Sequence, residues 1–201
     1  AIVIDKLWRL NSGPTVAQKG QTSNQKVKPL KNSVKTLDRE SLNRLAIRYV
    51  ERYATSRKKL ARYLQRKIGE REWDDAKPPA VEELVEHIAA LGYVNDATYA
   101  QSKAAALTRR GYGTRRVSHA LYEAGISEAD GREAYQTSES NKWAAADKFA
   151  RKRRIGPYAE SQQDSDKCRK QLQAFLRAGH DFDVASRFVF ARPGAEISED
   201  R

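Results

Sequence analysis

GYVNDATYAQSKAAALTRRGYGTRRVSHALYEAGIS, residues 92–127, holds two helix-length segments joined by a corner between glycines. In the first segment Tyr99, Ala100, Lys103, Ala104 and Leu107 recur at offsets of three and four, the spacing of one helix face. Asn95 or Asp96 is placed to cap its start, because a short side-chain oxygen can accept from the orphan amides of a first turn. The second segment opens at Thr114 and puts Val117, Ala120, Leu121 and Ala124 on one face. Gly125 follows, suited to the left-handed residue that closes many helices. Around the corner Gly111-Tyr112-Gly113-Thr114 stand Arg109, Arg110, Arg115 and Arg116.

The same grammar extends in both directions. Upstream, Leu42, Leu45, Ala46, Tyr49, Val50 and Tyr53 form an apolar stripe. Ser56 caps a second segment with Leu60, Leu64 and Ile68, and Gly69 lies just beyond. A linker with Trp73, Asp74 and Asp75 leads to Pro78-Pro79, which open a third helix carrying Val81, Leu84, Val85 and Ile88. Downstream, Ser127 and Asp130 form a capping box for a helix expected to reach about Tyr135, with polar residues 136–141 after it. Trp143, Ala146, Phe149 and Ala150 share the next face, then come Arg151 to Arg154 and Gly156-Pro157. Cys168, Leu172, Phe175 and Leu176 make a stripe closed by Gly179; Asp181 or Asp183 caps a last helix with Val184, Phe188 and Val189. No run alternates with period two, so the chain reads as all-α.

The pattern of helix, corner, helix ending in glycine, shorter helix occurs three times, with corners at Thr55-Ser56, Gly111 to Thr114 and Ile155 to Pro157. Three short helices have too little core alone, so tandem three-helix repeats stacked into an elongated, curved body are the expected architecture. The expected organisation is a flexible basic tail at 1–36, repeats at 37–93, 94–138 and 139–192, and a disordered carboxyl end at 193–201. The tail follows from composition: residues 11–35 have too few apolar side chains to offset the entropy of ordering. Trp8, between Leu7 and Leu10, is the odd residue there.

The net charge of +12 points to a polyanion or an acidic protein surface as partner. Residues 1–35 hold seven Lys or Arg against Asp5 alone, so clusters matter more than the total in the remainder. No apolar run approaches the roughly 20 residues of a membrane span. The opening Ala1-Ile2-Val3-Ile4 is too short for a secretory signal, and the single Cys168 excludes an internal disulfide. A cytoplasmic monomer is expected. The sequence has no methionine, an initiating one included, which points to trimming at the amino end.

Cations sit beside every corner: Arg57, Lys58 and Lys59 in the first unit, the four arginines around Tyr112 in the second, Arg151, Lys152, Arg153 and Arg154 in the third. Stacked units would bring these to one side as a positive ridge, suited to phosphates or to carboxylates. Tyr112 could stack on a base or pack into a protein pocket. The plain alternative is that Lys and Arg after a helix complement its dipole. Thr114 to Ile126 also reads, weakly, as a groove-binding helix presenting Arg115, Arg116 and His119.

Catalytic constellations are missing. No phosphate-binding Gly-x4-Gly-Lys loop is present. His87, His119 and His180 fall in three different units, and Cys168 has no cysteine partner for zinc. Asp74-Asp75 and Glu82-Glu83 lie in a linker and at a helix start, where they favour the dipole. No enzyme, cofactor or metal is expected.

Gly-Tyr-Val-Asn-Asp at 92–96, a helix, Gly-Tyr-Gly-Thr-Arg at 111–115 and Leu-x-x-x-Gly-Ile at 121–126 together resemble the core of the RecX family, regulators of the RecA recombinase. The likeness is close from Gly92 to Ile126, looser over roughly Leu37 to Ala191, and does not cover the tail. It implies the same tandem three-helix architecture. It also implies a negative modulator lying along the groove of the RecA filament on single-stranded DNA and spanning several protomers. Filament extension, ATP hydrolysis, strand exchange and coprotease cleavage of the SOS repressor would be inhibited. On that reading the central arginines, helped by Arg151 to Arg154, contact acidic RecA surface or DNA phosphate. From the residues alone, a general nucleic-acid-binding helical protein stands beside it, gripping phosphates through tail lysines and corner arginines. The chain departs from the family in its long basic tail and in Trp73 to Pro79, which lengthens the first unit.

Overall fold

Short polar residues at helix starts and left-handed glycines after helix ends divide the chain into helices. The computed structural model describes residues 36–197. In the first group are α1 (Arg39–Arg52), α2 (Arg57–Gly69) and α3 (Val81–Ala90). The second holds α4 (Asp96–Arg109), α5 (Thr114–Glu123) and α6 (Glu128–Ser140). The third holds α7 (Lys142–Arg153), a 3-10 turn (Gly156–Tyr158), α8 (Ser165–Arg177) and α9 (Phe182–Val189). The described residues fold as an all-helical chain, as the periodicity predicts. Among the described residues the sole β pairing is one parallel bridge, where Leu37 N–H donates to Glu72 O at 2.8 Å and Asp74 N–H to Leu37 O at 3.1 Å. The basic tail, with Trp8, lies outside the described residues.

Three of the expected caps form where orphan amides need them: Lys59 N–H donates to Ser56, Thr98 N–H to Asn95 and Asp130 N–H to Ser127. Asn95 therefore caps α4, and Asp96 is left for another task. Asp38 caps α1 in the same way, accepting from Ser41 N–H. The cap expected from Asp181 or Asp183 does not form: Asp181 precedes α9 with no side-chain cap hydrogen bond and pairs with Arg115 instead.

Each group of helices closes over its own apolar cluster. Leu37, Leu42, Leu60, Leu64, Val85 and Ile88 are buried in the first. Tyr99, Ala100, Leu107, Val117, Leu121 and Ala134 are buried in the second, and Phe149, Ile155, Phe175, Val184 and Phe188 in the third. A fully buried Leu or Phe contributes about 1.5–3 kcal/mol. Even so, a unit of three short helices is below the size at which a core is comfortably self-sufficient, so the contacts between units carry weight.

Three local expectations are corrected. α6 does not stop near Tyr135 but runs to Ser140. Its inner face is Gly131, Ala134 and Ser138, small residues that let it lie close on α4; their low hydrophobicity hid the helix. After α7 the chain does not turn directly at Ile155 to Pro157 into the next helix. Arg154 takes a left-handed conformation (φ 53°), the 3-10 turn follows, and α8 begins only at Ser165, where Lys167 N–H donates to the Asp164 cap. Residues 193–197, expected to be disordered, are placed: Gly194 N–H donates to Pro157 O at 2.9 Å and Ile197 packs against the third cluster.

Candidate functional site

The units are joined by one recurring device. The residue capping a unit's second helix hydrogen-bonds the carbonyl at the end of the next unit's second helix. Ser56 Oγ, at the start of α2, donates to Ala124 O at the end of α5 at 2.6 Å. Gly113 N–H, at the start of α5, donates to Ala178 O at the end of α8 at 3.0 Å, and Arg115 N–H donates to Gly179 O at 3.1 Å. Serine uses its hydroxyl and glycine its backbone for the same position. The positive end of one helix dipole therefore meets the negative end of the next. Two of the cations at these corners, unfavourable for their own helix, meet a carboxylate of the next unit: Arg57 meets Asp96 and Arg115 meets Asp181.

That logic accounts for the first basic cluster. Arg57 donates its N–H to the Asp96 carboxylate at 2.9 Å, and its guanidinium stands 3.6 Å from Asp96 and 3.5 Å from Glu86. Asp96 is 6% exposed, so an unpaired charge there would be costly. Lys58 lies across Gly125 and over the Tyr122 ring, and Lys59 donates to the Tyr99 hydroxyl at 3.1 Å. Arg62 donates to Glu123 O at 3.3 Å, one of the orphan carbonyls of α5. Arg57 and Lys58 are the clamp between the first and second units.

The central corner is partly spoken for. Tyr112 packs against the apolar clusters of both the second and third units, with the Arg110 and Arg116 guanidinium groups 5.3 and 5.5 Å from its ring centre. Its half-buried ring is a wedge between the second and third units. Arg115 reaches Asp181 at 3.1 Å, an exposed pair of the kind that holds weakly. Arg109, Arg110 and Arg116 are exposed and have no carboxylate partner among the described residues. The groove-binding reading of α5 meets an obstacle. Its first turn lies against Gly179, and His119 faces Glu123 at 3.6 Å.

The third cluster occupies a different place from the other two. Arg151 to Arg154 end the unit's first helix, as Arg109 and Arg110 do, whereas Arg57 to Lys59 and Arg115 to Arg116 begin a second helix. At the start of α8 the corresponding positions are Ser165, Asp166 and Lys167. Arg151 stacks on Tyr158 and donates to its hydroxyl at 3.0 Å, while Tyr158 donates to Asp147, an acceptor that raises the phenol's pKa. Arg154 pairs with Glu160 at 3.0 Å. Lys152 and Arg153 are exposed without a carboxylate partner among the described residues, Arg153 lying over Phe149. Gly111, just after Arg110, lies against the α7 backbone at Ala145 and Phe149, one turn before Lys152. The unpaired cations of the α4 and α7 ends thus belong to the joint between the second and third units.

His180 is a joint residue that sequence reasoning set aside. It is 1% exposed and lies beside Phe149 and Phe175, with Nε2 3.1 Å from Gly111 O. A carbonyl only accepts, so Nε2 carries the proton. Burial pushes the imidazole below its usual pKa, opposed by the Gly111 carbonyl and by Asp181. Because the folded value is the lower one, the stability it contributes is complete above the unfolded value of about 6.5 and is lost as pH falls through the window beneath it. The unfolding free energy should fall between neutral pH and about pH 5, by at most about 1.4 kcal/mol per pH unit for the one proton, and the thermal midpoint with it. His180→Gln, which can still donate to Gly111 O but does not titrate, should flatten that slope. An unchanged slope in the variant would assign the acid sensitivity elsewhere.

Among the described residues no three His, Cys, Asp or Glu side chains gather as a metal ion requires, and no helix is long and apolar enough to cross a membrane. The family model described as RecX, second three-helix domain, matches residues 95–134, which carry the central corner. Two solved structures share the fold. The crystal structure of RecX from Lactobacillus salivarius gives a TM-score of 0.55 at 18% identity, over 75% of this chain and 93% of that one. A second crystal structure, of regulatory protein RecX, gives 0.56 at 19% identity, over 72% and 68%. By sequence, regulatory protein RecX of Agrobacterium fabrum is 29% identical over 136 residues, 66% of this chain and 72% of that protein. Regulatory protein RecX of Myxococcus xanthus is 32% identical over 167 residues, 76% of this chain and 86% of that protein. A likeness that spans all three helical groups, beyond the one central motif, makes the chain a member of the RecX family of regulatory proteins.

Proposed function

We propose that this protein is a negative modulator of the RecA recombinase. It binds the groove of the RecA–single-stranded DNA filament and inhibits filament extension, ATP hydrolysis, strand exchange and coprotease activity. The observation that carries the reading is the set of unpaired cations at the joint of the second and third units: Arg109, Arg110, Arg116, Lys152 and Arg153. A surface of guanidinium groups with no internal acid to satisfy suits an acidic protein groove or a phosphate backbone. It acts by occupancy, consistent with a family of regulators. Arg57 and Lys58, spent on the clamp between units, fall out of the contact surface, and Arg115, Arg151 and Arg154 stand at its edge.

The test is RecA's single-strand-dependent ATP hydrolysis at near-physiological salt, with this protein titrated in. Inhibition well below one copy per RecA protomer supports action on the filament. Inhibition only once the protein saturates the strand would replace this reading with general nucleic-acid binding, in which bare DNA is the partner and affinity falls steeply with salt.

A further inference from the structure

The α1–α2 side of the first unit carries a cleft that the corner clusters do not use. Three tyrosines and three arginines line it: Tyr49, Tyr53, Tyr63, Arg48, Arg52 and Arg66, around a volume of about 460 Å³. Tyr49 and Tyr63 stack with ring centres 4.1 Å apart and planes 18° from parallel, bridging the two helices. That pair has a structural role, since both rings pack on the core of the unit. Tyr53 does not share it. It is 51% exposed at the end of α1, its ring centre 5.2 Å from that of Tyr49. Arg52 stands 5.8 Å from the Tyr53 ring centre and Arg66 5.7 Å from that of Tyr63. No carboxylate lines the cleft. Arg48 has no carboxylate partner among the described residues, and Arg66 only an exposed one, Glu70 at 3.5 Å.

We propose that this cleft binds a short stretch of single-stranded nucleic acid, with a base stacked on Tyr53 and phosphates on Arg48 and Arg52. Aromatic faces beside guanidinium groups match a ligand that carries flat rings on a polyanionic backbone. An acidic peptide would satisfy the arginines and leave the exposed ring without a role. A duplex keeps its base faces stacked internally. The chain's own first 35 residues, with seven Lys or Arg against Asp5, have the wrong charge to fill the cleft. The site belongs to the first unit and is separate from the joint of the second and third, so it does not depend on the filament reading above.

The experiment uses the full chain and a short fluorescent oligothymidylate without RecA, read by anisotropy from about 50 to about 200 mM salt. Arg48→Ala combined with Arg52→Ala should weaken binding about tenfold or more at the lower salt. It should also reduce the log–log salt slope by about 1.4, the value for two phosphates of a single strand. Tyr53→Ala should weaken binding about fivefold or more with the slope unchanged, the signature of lost stacking. Helical content by circular dichroism should match the parent in both. Parental binding in both variants would overturn the proposal, as would failure of the parent to bind the oligonucleotide at low salt. So would a loss confined to the arginine variant with polyglutamate competing as well as the oligonucleotide, which would make the cleft an acidic-peptide site. Inhibition of RecA is measured separately, at amounts of this protein well below saturation of the strand, where competition for bare DNA does not contribute.

Discussion

Gly113→Ala should lower the unfolding free energy by about 3–5 kcal/mol, although it adds one methyl group at a position with ordinary backbone angles. Gly113 has φ −79°, so alanine is allowed there conformationally and any loss is steric. A Cβ at this position would sit 2.3 Å from Gly179 O and 2.4 Å from His180 N. Both are backbone atoms at the end of α8, and neither can rotate away. The joint must open, at a strain of about 1–3 kcal/mol for an overpacked contact. The opening removes the Gly113-to-Ala178 and Arg115-to-Gly179 hydrogen bonds, at about 1 kcal/mol each. It also exposes His180, whose 3.1 Å contact to Gly111 O spans the same joint. Gly69→Ala is the control: nothing lies within 4 Å of its added Cβ, and in a helix alanine is favoured by about 0.5–1 kcal/mol. Urea denaturation of the two variants reads the difference directly. Parental stability in Gly113→Ala would mean that the second and third units are not joined through this contact.

What the sequence shows of this fold follows from which interactions are local. Caps and helix faces are decided within a few residues, and Ser56, Asn95 and Ser127 cap as their spacing predicts. Signals that depend on a distant partner are illegible. Gly113 reads as a corner glycine, yet its lack of a side chain serves Gly179, whose own added Cβ would lie 2.4 Å from Arg116 N. Asp96 reads as an alternative cap, and only the approach of Arg57 from the preceding unit explains why an acid is buried there. The later half of α6 is hidden because its inner residues are small and polar rather than apolar. The basic clusters mislead for the same reason. Four cations in a row at the end of α7 look equivalent to those after Ser56, but they close a first helix, and the 3-10 turn and loop that follow separate them from the start of α8. Composition shows that cations are present. Which of them stay unpaired depends in part on Asp96 and Asp181, which only the fold brings to Arg57 and Arg115, while Asp147 and Glu160 lie close in sequence to Arg151 and Arg154.

That distinction sharpens the functional test. Reversing Arg109, Arg110 and Arg116 to Glu should raise the concentration of this protein needed to halve RecA's ATP hydrolysis by at least about 100-fold. Each charged contact contributes about 1.5 kcal/mol or more, and reversal adds repulsion to the loss. These three are chosen because they are exposed and answer to no internal acid. Arg57 is left out, since its reversal beside the buried Asp96 would unfold the clamp and imitate a loss of function. Arg109 ends α4, so a glutamate there opposes the helix dipole by about 0.3–1 kcal/mol, a cost that should appear as a small shift in thermal midpoint with helical content intact. Lys152→Glu with Arg153→Glu should weaken inhibition in the same direction, because the α7 end flanks the same joint. If the triple variant inhibits as the parent does while remaining folded, the joint arginines serve only the helix dipoles and solubility, and the contact surface lies elsewhere on the chain.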